Sequence, residues 1–300
     1  MHLSELKSKV VGDLVFVSES HVHVGDHEPG SSRLEVMRLP DGSFLIPAST
    51  WKGCFRSMAE KLARSLRLDQ LERLALEAYA QNTYSLRLDD SRYEDYLKDF
   101  KEALRGGSPR IVRHGREELR QILKDIGYEE VEMNGEALER RVREMAADYL
   151  ALNCPVGRLF GSQVAASKLI FHHTPLDPRS VGVEFRPGVG IDRASGSVRE
   201  DILFFVEGLR AGIEVRLRFV ADNLEPGASD SRLFAGVLDW IKTLGLQVGG
   251  RKSVGLGLLR LREGTFYFVG PGDDMALVNP FSHGRRLELN EFLSYLRGSE

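Results

Sequence analysis

Apolar and polar positions alternate with a period of two along residues 14–24, LVFVSESHVHV, which places Leu14, Phe16, Ser18, Ser20, Val22 and Val24 on one face. That spacing predicts a half-buried strand. Gly25 to Ser32 (GDHEPGSS) is rich in Gly, Pro, Asp and Ser and reads as a loop, after which Phe44-Leu45-Ile46 leads into Pro47. The period then changes: Phe55, Met58, Ala59, Leu62 and Leu66 recur at helical spacing, with Ser49 or Thr50 as the expected cap. Residues 67–150 are dominated by charged, helix-favouring sequence such as LDQLERLALEAYAQ and ALERRVREMAADYLALN, broken at Gly106-Gly107-Ser108-Pro109. They predict a helical insertion, either a solvated subdomain or an interaction platform.

Strand patterning returns from Ser167, over Lys168 to His172, Ile202 to Val206 and Ile213 to Val220. A helix follows at 231–244 with Leu233, Val237, Trp240, Ile241 and Leu244 on one stripe, then a glycine-rich loop, a final strand at Leu256 to Leu261 and a terminal helix over 287–297. This order predicts an α+β fold with a ferredoxin-like (RRM-like) β-α-β-β-α-β core. The core is expected from 1–66 and 151–300, interrupted by the helical insertion at 67–150 and by a long hairpin at about 173–200.

Composition narrows the function classes. With 300 residues and 42% hydrophobic content the chain can bury a large core. Its apolar runs are short or broken, as Arg216 and Arg218 break Val215 to Ala221, and fall far below the roughly 20 residues that span a bilayer. The N-terminal MHLSELKSKVVGD has no apolar signal core, and Cys54 and Cys154 do not suggest a disulfide framework, so a cytoplasmic protein without membrane contact is expected. A formal charge of -3 gives no global attraction for nucleic acid, so any such site must be local.

Four segments carry candidate chemistry. In Val248 to Leu259, VGGRKSVGLGLL, glycines surround Arg251, Lys252 and Ser253; main chain at Gly249 and Gly250 can approach a polyanion closely while the two cations hold it. No Walker loop is present. Ile46 to Arg56, IPASTWKGCFR, opens a helix with Ser49, Thr50 and Lys52 near its free N–H groups. The others are Asn153 to Ser162, NCPVGRLFGS, and Val189 to Glu207, a polar loop leading to an apolar strand. In this order the four resemble the motifs of the RAMP (repeat-associated mysterious protein) superfamily, and in particular the backbone subunit of a type III CRISPR effector complex.

The resemblance implies RNA binding along a guide strand. On the matching positions Ser49, Lys52, Arg56, Arg251, Lys252 and Ser253 are the expected contacts, with a helix-surface ion pair as the alternative for Arg56. The segment ending in Ile191-Asp192-Arg193 resembles the root of the family's thumb-like hairpin, which wedges into the guide-target duplex. Phe185, Arg186, Val189 and Arg193 would serve it, unless Phe185 is buried and Asp192 pairs with Arg193. Expected partners are guide RNA, target RNA, other effector subunits, and copies or paralogues of the chain in a filament.

One departure concerns cleavage. Relatives that cut target RNA carry an aspartate in the loop after the first strand, where this chain has Arg33 between Ser32 and Leu34. Asp26 and Glu35 lie near enough to substitute, with Mg or Mn as the metal, or are simply solvated. His21, His23 and His27, with Asp26 and Cys54, fall short of a convincing zinc set, and His21 and His23 are expected at a polar strand end facing RNA. The second cysteine that relatives often carry in the C-P segment is Gly157 here, so Cys154 is expected to be buried and apolar. Two rival readings stand beside the first: a metal-independent RNA-processing endoribonuclease using these histidines as acid and base, and a purely structural scaffold.

Overall fold

The computed structural model describes residues 5–25, 33–81, 91–128, 136–272 and 277–298. Its strands are β1 (Lys9–Ser18), β2 (Arg33–Leu34), β3 (Phe44–Ile46), β4 (Leu169–Phe171), β5 (Thr174–Leu176), β6 (Val183–Ile191), β7 (Val198–Leu209), β8 (Glu214–Asp222), β9 (Leu246–Gln247), β10 (Leu258–Val269) and β11 (Arg285–Glu288). The longer helices are α1 (Ala48–Ala63), α2 (Gln70–Gln81), α3 (Glu94–Arg105), α4 (Arg116–Asp125), α5 (Glu136–Leu152), α6 (Pro155–Phe160), α7 (Ser229–Leu244) and α8 (Leu289–Arg297). The fold is α+β. Its main sheet has the order β11-β10-β1-β8-β4, every neighbouring pair antiparallel, with β9 also on β10. A second sheet, β2-β7-β6, is a long hairpin with β2 added in parallel, and β3 pairs with β5.

The alternation read in the first strand places its even positions inward: Leu14 and Phe16 are fully buried, and Val22 and Val24 continue the buried side past the strand's end. The strand starts at Lys9, however, five residues before Leu14. Asp13 belongs to it because Arg218 across the ladder meets its carboxylate in two hydrogen bonds of 2.7 and 2.8 Å. Helices α1, α7 and α8 cover the inner face, where the Phe219 ring meets Phe234 edge-on and Phe266 stacks on Phe292 at 4.3 Å. Trp51 is buried without exposure, and its indole N–H donates to Thr174 Oγ1 at 3.1 Å, so an aromatic anchor and a hydrogen bond fix the start of α1.

Several expectations are corrected. Ser49 and Thr50 do not cap α1: the helix begins at Ala48, Pro47 holds the extended cap position, and both hydroxyl residues lie inside the first turn. In α7, Leu233, Val237 and Ile241 are buried, but Trp240 is 40% and Leu244 54% exposed. Neighbours on several sides turn the helix, so Phe234, Ala235 and Leu238 take the inward positions. The last long strand runs on to Val269, well past Leu261, and residues 285–288 form an added strand before the terminal helix.

The helices of residues 67–152 share one continuous apolar cluster with the sheet. A charged network built on two buried carboxylates joins them as well. Glu72 on α2 meets Arg113 at 3.2 Å and Arg158 of α6 at 3.1 Å, while Asp230 on α7 accepts from Lys168 at 2.8 Å and lies 3.5 Å from Arg158. Burial alone would raise the Asp230 carboxyl, but Arg158 and Lys168 outweigh it and hold the group below the usual carboxylate range. Cys154 is buried, as expected; its sulfur accepts from Gly157 N–H at the start of α6, and burial pushes the thiol up to about 11.

Candidate functional site

The glycine-rich loop lies against the end of the first strand. Gly250 N–H donates to His23 O, and Gly257 N–H to His21 O, each at 2.8 Å. These two N–H groups are therefore spent on the fold and unavailable to a phosphate. Gly249 has φ +83°, and a Cβ there would sit 2.1 Å from His23 O, so no other residue fits. Arg251 then enters the left-handed region at φ +54° and opens a short 3-10 turn, Lys252–Val254, whose first N–H groups have no acceptor within the turn. Arg251 and Ser253 are exposed and Lys252 is half-buried.

Two contacts hold the tip of this loop. Lys252 Nζ lies 3.4 Å from Cys54 Sγ, on the first turns of α1. On the other side the Arg251 guanidinium lies over the Phe204 ring, 4.4 Å from its centre, and Phe204 belongs to the β6–β7 hairpin. The loop thus bridges the helix start and the hairpin.

On α1, Ser49, Lys52 and Arg56 follow at three- and four-residue steps and share a face. Ser49 is exposed. Arg56 donates to Glu60 at 3.1 Å and lies over Tyr79, 5.1 Å from the ring centre. Lys52 has no acidic partner among the described residues, and burial, then the neighbouring Arg56 cation, lower its ammonium pKa. A cation left with a like-charged neighbour favours an incoming anion.

The hairpin carries both charge and apolar surface. Phe185 is 56% exposed, not buried, and Val189, Ile191 and Val198 are also open to solvent. Arg186 donates to His21 Nδ1 at 2.9 Å, while His21 Nε2 faces Glu184 at 2.6 Å and Glu184 also binds Arg210. Both ring nitrogens of His21 thus have side-chain partners. His23 is 6% exposed, with Nδ1 against Glu207 O at 2.7 Å, so it supports the loop from beneath and presents no surface to a strand.

Ile191-Asp192-Arg193 stands at the tip of the hairpin and not at its root. Asp192 Oδ1 accepts from Ala194 N–H and Ser195 N–H, each at 2.9 Å, closing the turn between β6 and β7 instead of pairing with Arg193. Arg193 is therefore about 20 Å further along the strand than Arg186 and is not gathered with the loop cations.

Glu35 is exposed, 3.9 Å from Arg38. Asp26, His27 and Ser32 lie outside the described residues. Arg33 pairs through β2 with Phe205, so this loop returns beside the hairpin. Among the described residues no three His, Cys, Asp or Glu side chains are grouped as metal ligands would be. Two residues that sequence reasoning passed over support the site. Buried Glu207 receives Val36 N–H at 2.7 Å and both arms of Arg38; burial would raise its carboxyl, but these donors hold it low. Phe204 is the other; a glycine at its cross-strand position, Gly188, was the available sign.

These elements define an α+β protein that presents a cationic glycine loop between a helix start and a long, partly apolar hairpin. A family model for the RAMP superfamily matches residues 15–260, and the chain belongs to that superfamily. Membership suggests a CRISPR-associated, RNA-binding role, in complexes with RNA and other subunits. None of the curated proteins matches the chain. Among the described residues no helix is long and apolar enough to cross a membrane.

Proposed function

We propose that this protein is an RNA-binding backbone subunit of a type III CRISPR effector complex, holding the sugar-phosphate chain of the guide. One observation carries the reading: the Arg251-Lys252-Ser253 tip is braced between Cys54, on the first turns of α1, and the hairpin. Lys52, Arg251, Lys252, Ser49 and Ser253 are the proposed backbone contacts, with Arg186 beside them and Arg56 contributing from its ion pair. The exposed apolar hairpin is the proposed wedge against the guide-target duplex, with Arg193 at its tip. The strand order β10-β1-β8-β4, with α1 after the first strand and α7 before the last, supports a ferredoxin-like core in 1–66 and 151–300, and 67–150 is the proposed insertion. Backbone and shape would be read by the protein, and sequence by pairing with the guide.

The test is binding of single-stranded guide RNA by the purified chain across a range of salt. Each phosphate contact contributes about -0.7 to the log-log salt slope. Lys52→Ala combined with Arg251→Ala should therefore weaken binding and flatten the slope by about 1.4; unchanged affinity and slope would overturn the reading. With labelled target and Mg or Mn, an intact and tightly bound target would make the assembled chain a structural RNA-holding subunit. Regular cuts lost in Asp26→Ala or Glu35→Ala would instead make the chain a metal-dependent nuclease.

A further inference from the structure

Arg251 reaches the end of a loop where its own backbone fixes little beyond direction. A long side chain at such a place loses several rotatable bonds' worth of freedom when it grips a phosphate. The structure meets that cost from another element. The Phe204 ring lies under the guanidinium at 4.4 Å, within the range in which a cation is held by an aromatic face. The ring itself is seated by what stands opposite. Gly188 is its cross-strand partner, and a Cβ on Gly188 would come within 2.3 Å of the ring carbons, so the ring occupies the space that any side chain would take. Arg251 has no acidic partner among the described residues, which leaves its charge available while its position is fixed.

We propose that Phe204 is a positioning residue for RNA binding: stacked in the notch of Gly188, it holds the Arg251 guanidinium so that the glycine loop and the hairpin grip the RNA backbone as one clamp. The inference rests on the RNA-binding reading above and adds to it a residue that itself need not touch RNA. It also makes the hairpin part of the guide-binding surface at its mid-length.

The experiment measures affinity for single-stranded RNA, and its salt slope, in five variants of the full chain. Phe204→Leu keeps apolar bulk without the aromatic face and should weaken binding several-fold, flattening the slope by up to about 0.7, as loss of one phosphate contact does. Phe204→Trp should keep both values near those of the unaltered protein. Gly188→Ala, which leaves Phe204 in place but pushes its ring aside, should resemble Phe204→Leu. Phe204→Leu combined with Arg251→Ala should be no weaker than Arg251→Ala alone. A folded Phe204→Leu with unchanged or tighter binding overturns the inference, as does full additivity in the double variant. If Arg251→Ala flattens the slope and Phe204→Leu does not, or if Arg251→Ala alone changes nothing, only the inference fails; if Lys52→Ala combined with Arg251→Ala also changes nothing, the RNA-binding reading fails with it.

Discussion

Arg251 and Asn223 are the non-glycine residues with left-handed backbone among the described residues. Asparagine tolerates that region through its short polar side chain, but arginine pays about 1 kcal/mol for it. Arg251→Gly is therefore expected to raise stability by about 1 kcal/mol, seen as a higher urea midpoint, while RNA binding falls. A variant that loses stability and RNA affinity together would instead show that the arginine is part of the loop's framework. At this scale the cations were legible, because Arg251 and Lys252 interrupt a glycine-rich run and Lys52 precedes Gly53. Phe204 was not, since Leu203-Phe204-Phe205 reads as any apolar strand until the register shows glycine opposite one ring. His23 was misleading for a related reason: alternation put it on the outer side of the strand, where the glycine loop then covered it.

The hairpin is the element whose surface departs furthest from the rule that apolar side chains are covered. Five apolar residues on it, Phe185, Val189, Ile191, Val198 and Phe205, are exposed by more than a third. Such side chains add little to stability, so Phe185→Ser with Val189→Ser should shift the unfolding free energy by no more than about 0.5 kcal/mol each. The same pair should weaken protection of a guide-target duplex, measured by nuclease footprinting; a large drop in thermal midpoint would show that the face is covered within the chain. In the sequence only Ile202 to Val206 marks a strand of the hairpin, nothing marks β6, and the expected span of about 173–200 falls short of the 183–209 observed; the ends are reversed as well, because the turn signal in Asp192-Arg193-Ala194-Ser195-Gly196 matches the wrong end of the family's hairpin. The first strand was shortened in the same way: Gly12 and Asp13 look like a break until Arg218 supplies a partner across the ladder.

Across the whole molecule the charges are local in effect, which is how a chain with a net charge of -3 can offer a cationic loop. The network of Glu72, Arg113, Arg158, Lys168 and Asp230, with both carboxylates buried, ties the helices of 67–152 to the sheet through pairs that no spacing rule could match up. Asp230 is held below its ordinary carboxylate pKa, so it binds protons more weakly folded than unfolded. Its stabilisation is full above the ordinary value of about 3.9 and is lost as pH falls below that through the folded pKa. Asp230→Asn takes the carboxylate away from Lys168 and Arg158, although Arg158 keeps Glu72, and should cost about 1.5 to 3 kcal/mol at neutral pH, with a shallower loss of stability on acidification; denaturant midpoints from pH 7 down to 3 check both. The ends of the sheets bear on assembly. The main sheet finishes in the three residues of β4 and the four of β11, and in the hairpin sheet the nine-residue edge β6 contains Pro187, which lacks an N–H, and shifts register near its end. Short or interrupted borders of this kind resist strand addition from a neighbouring molecule. Among the described residues the sheet edges thus offer copies of the chain little backbone to pair with, and an ordered row of them would take its spacing from something other than strand addition.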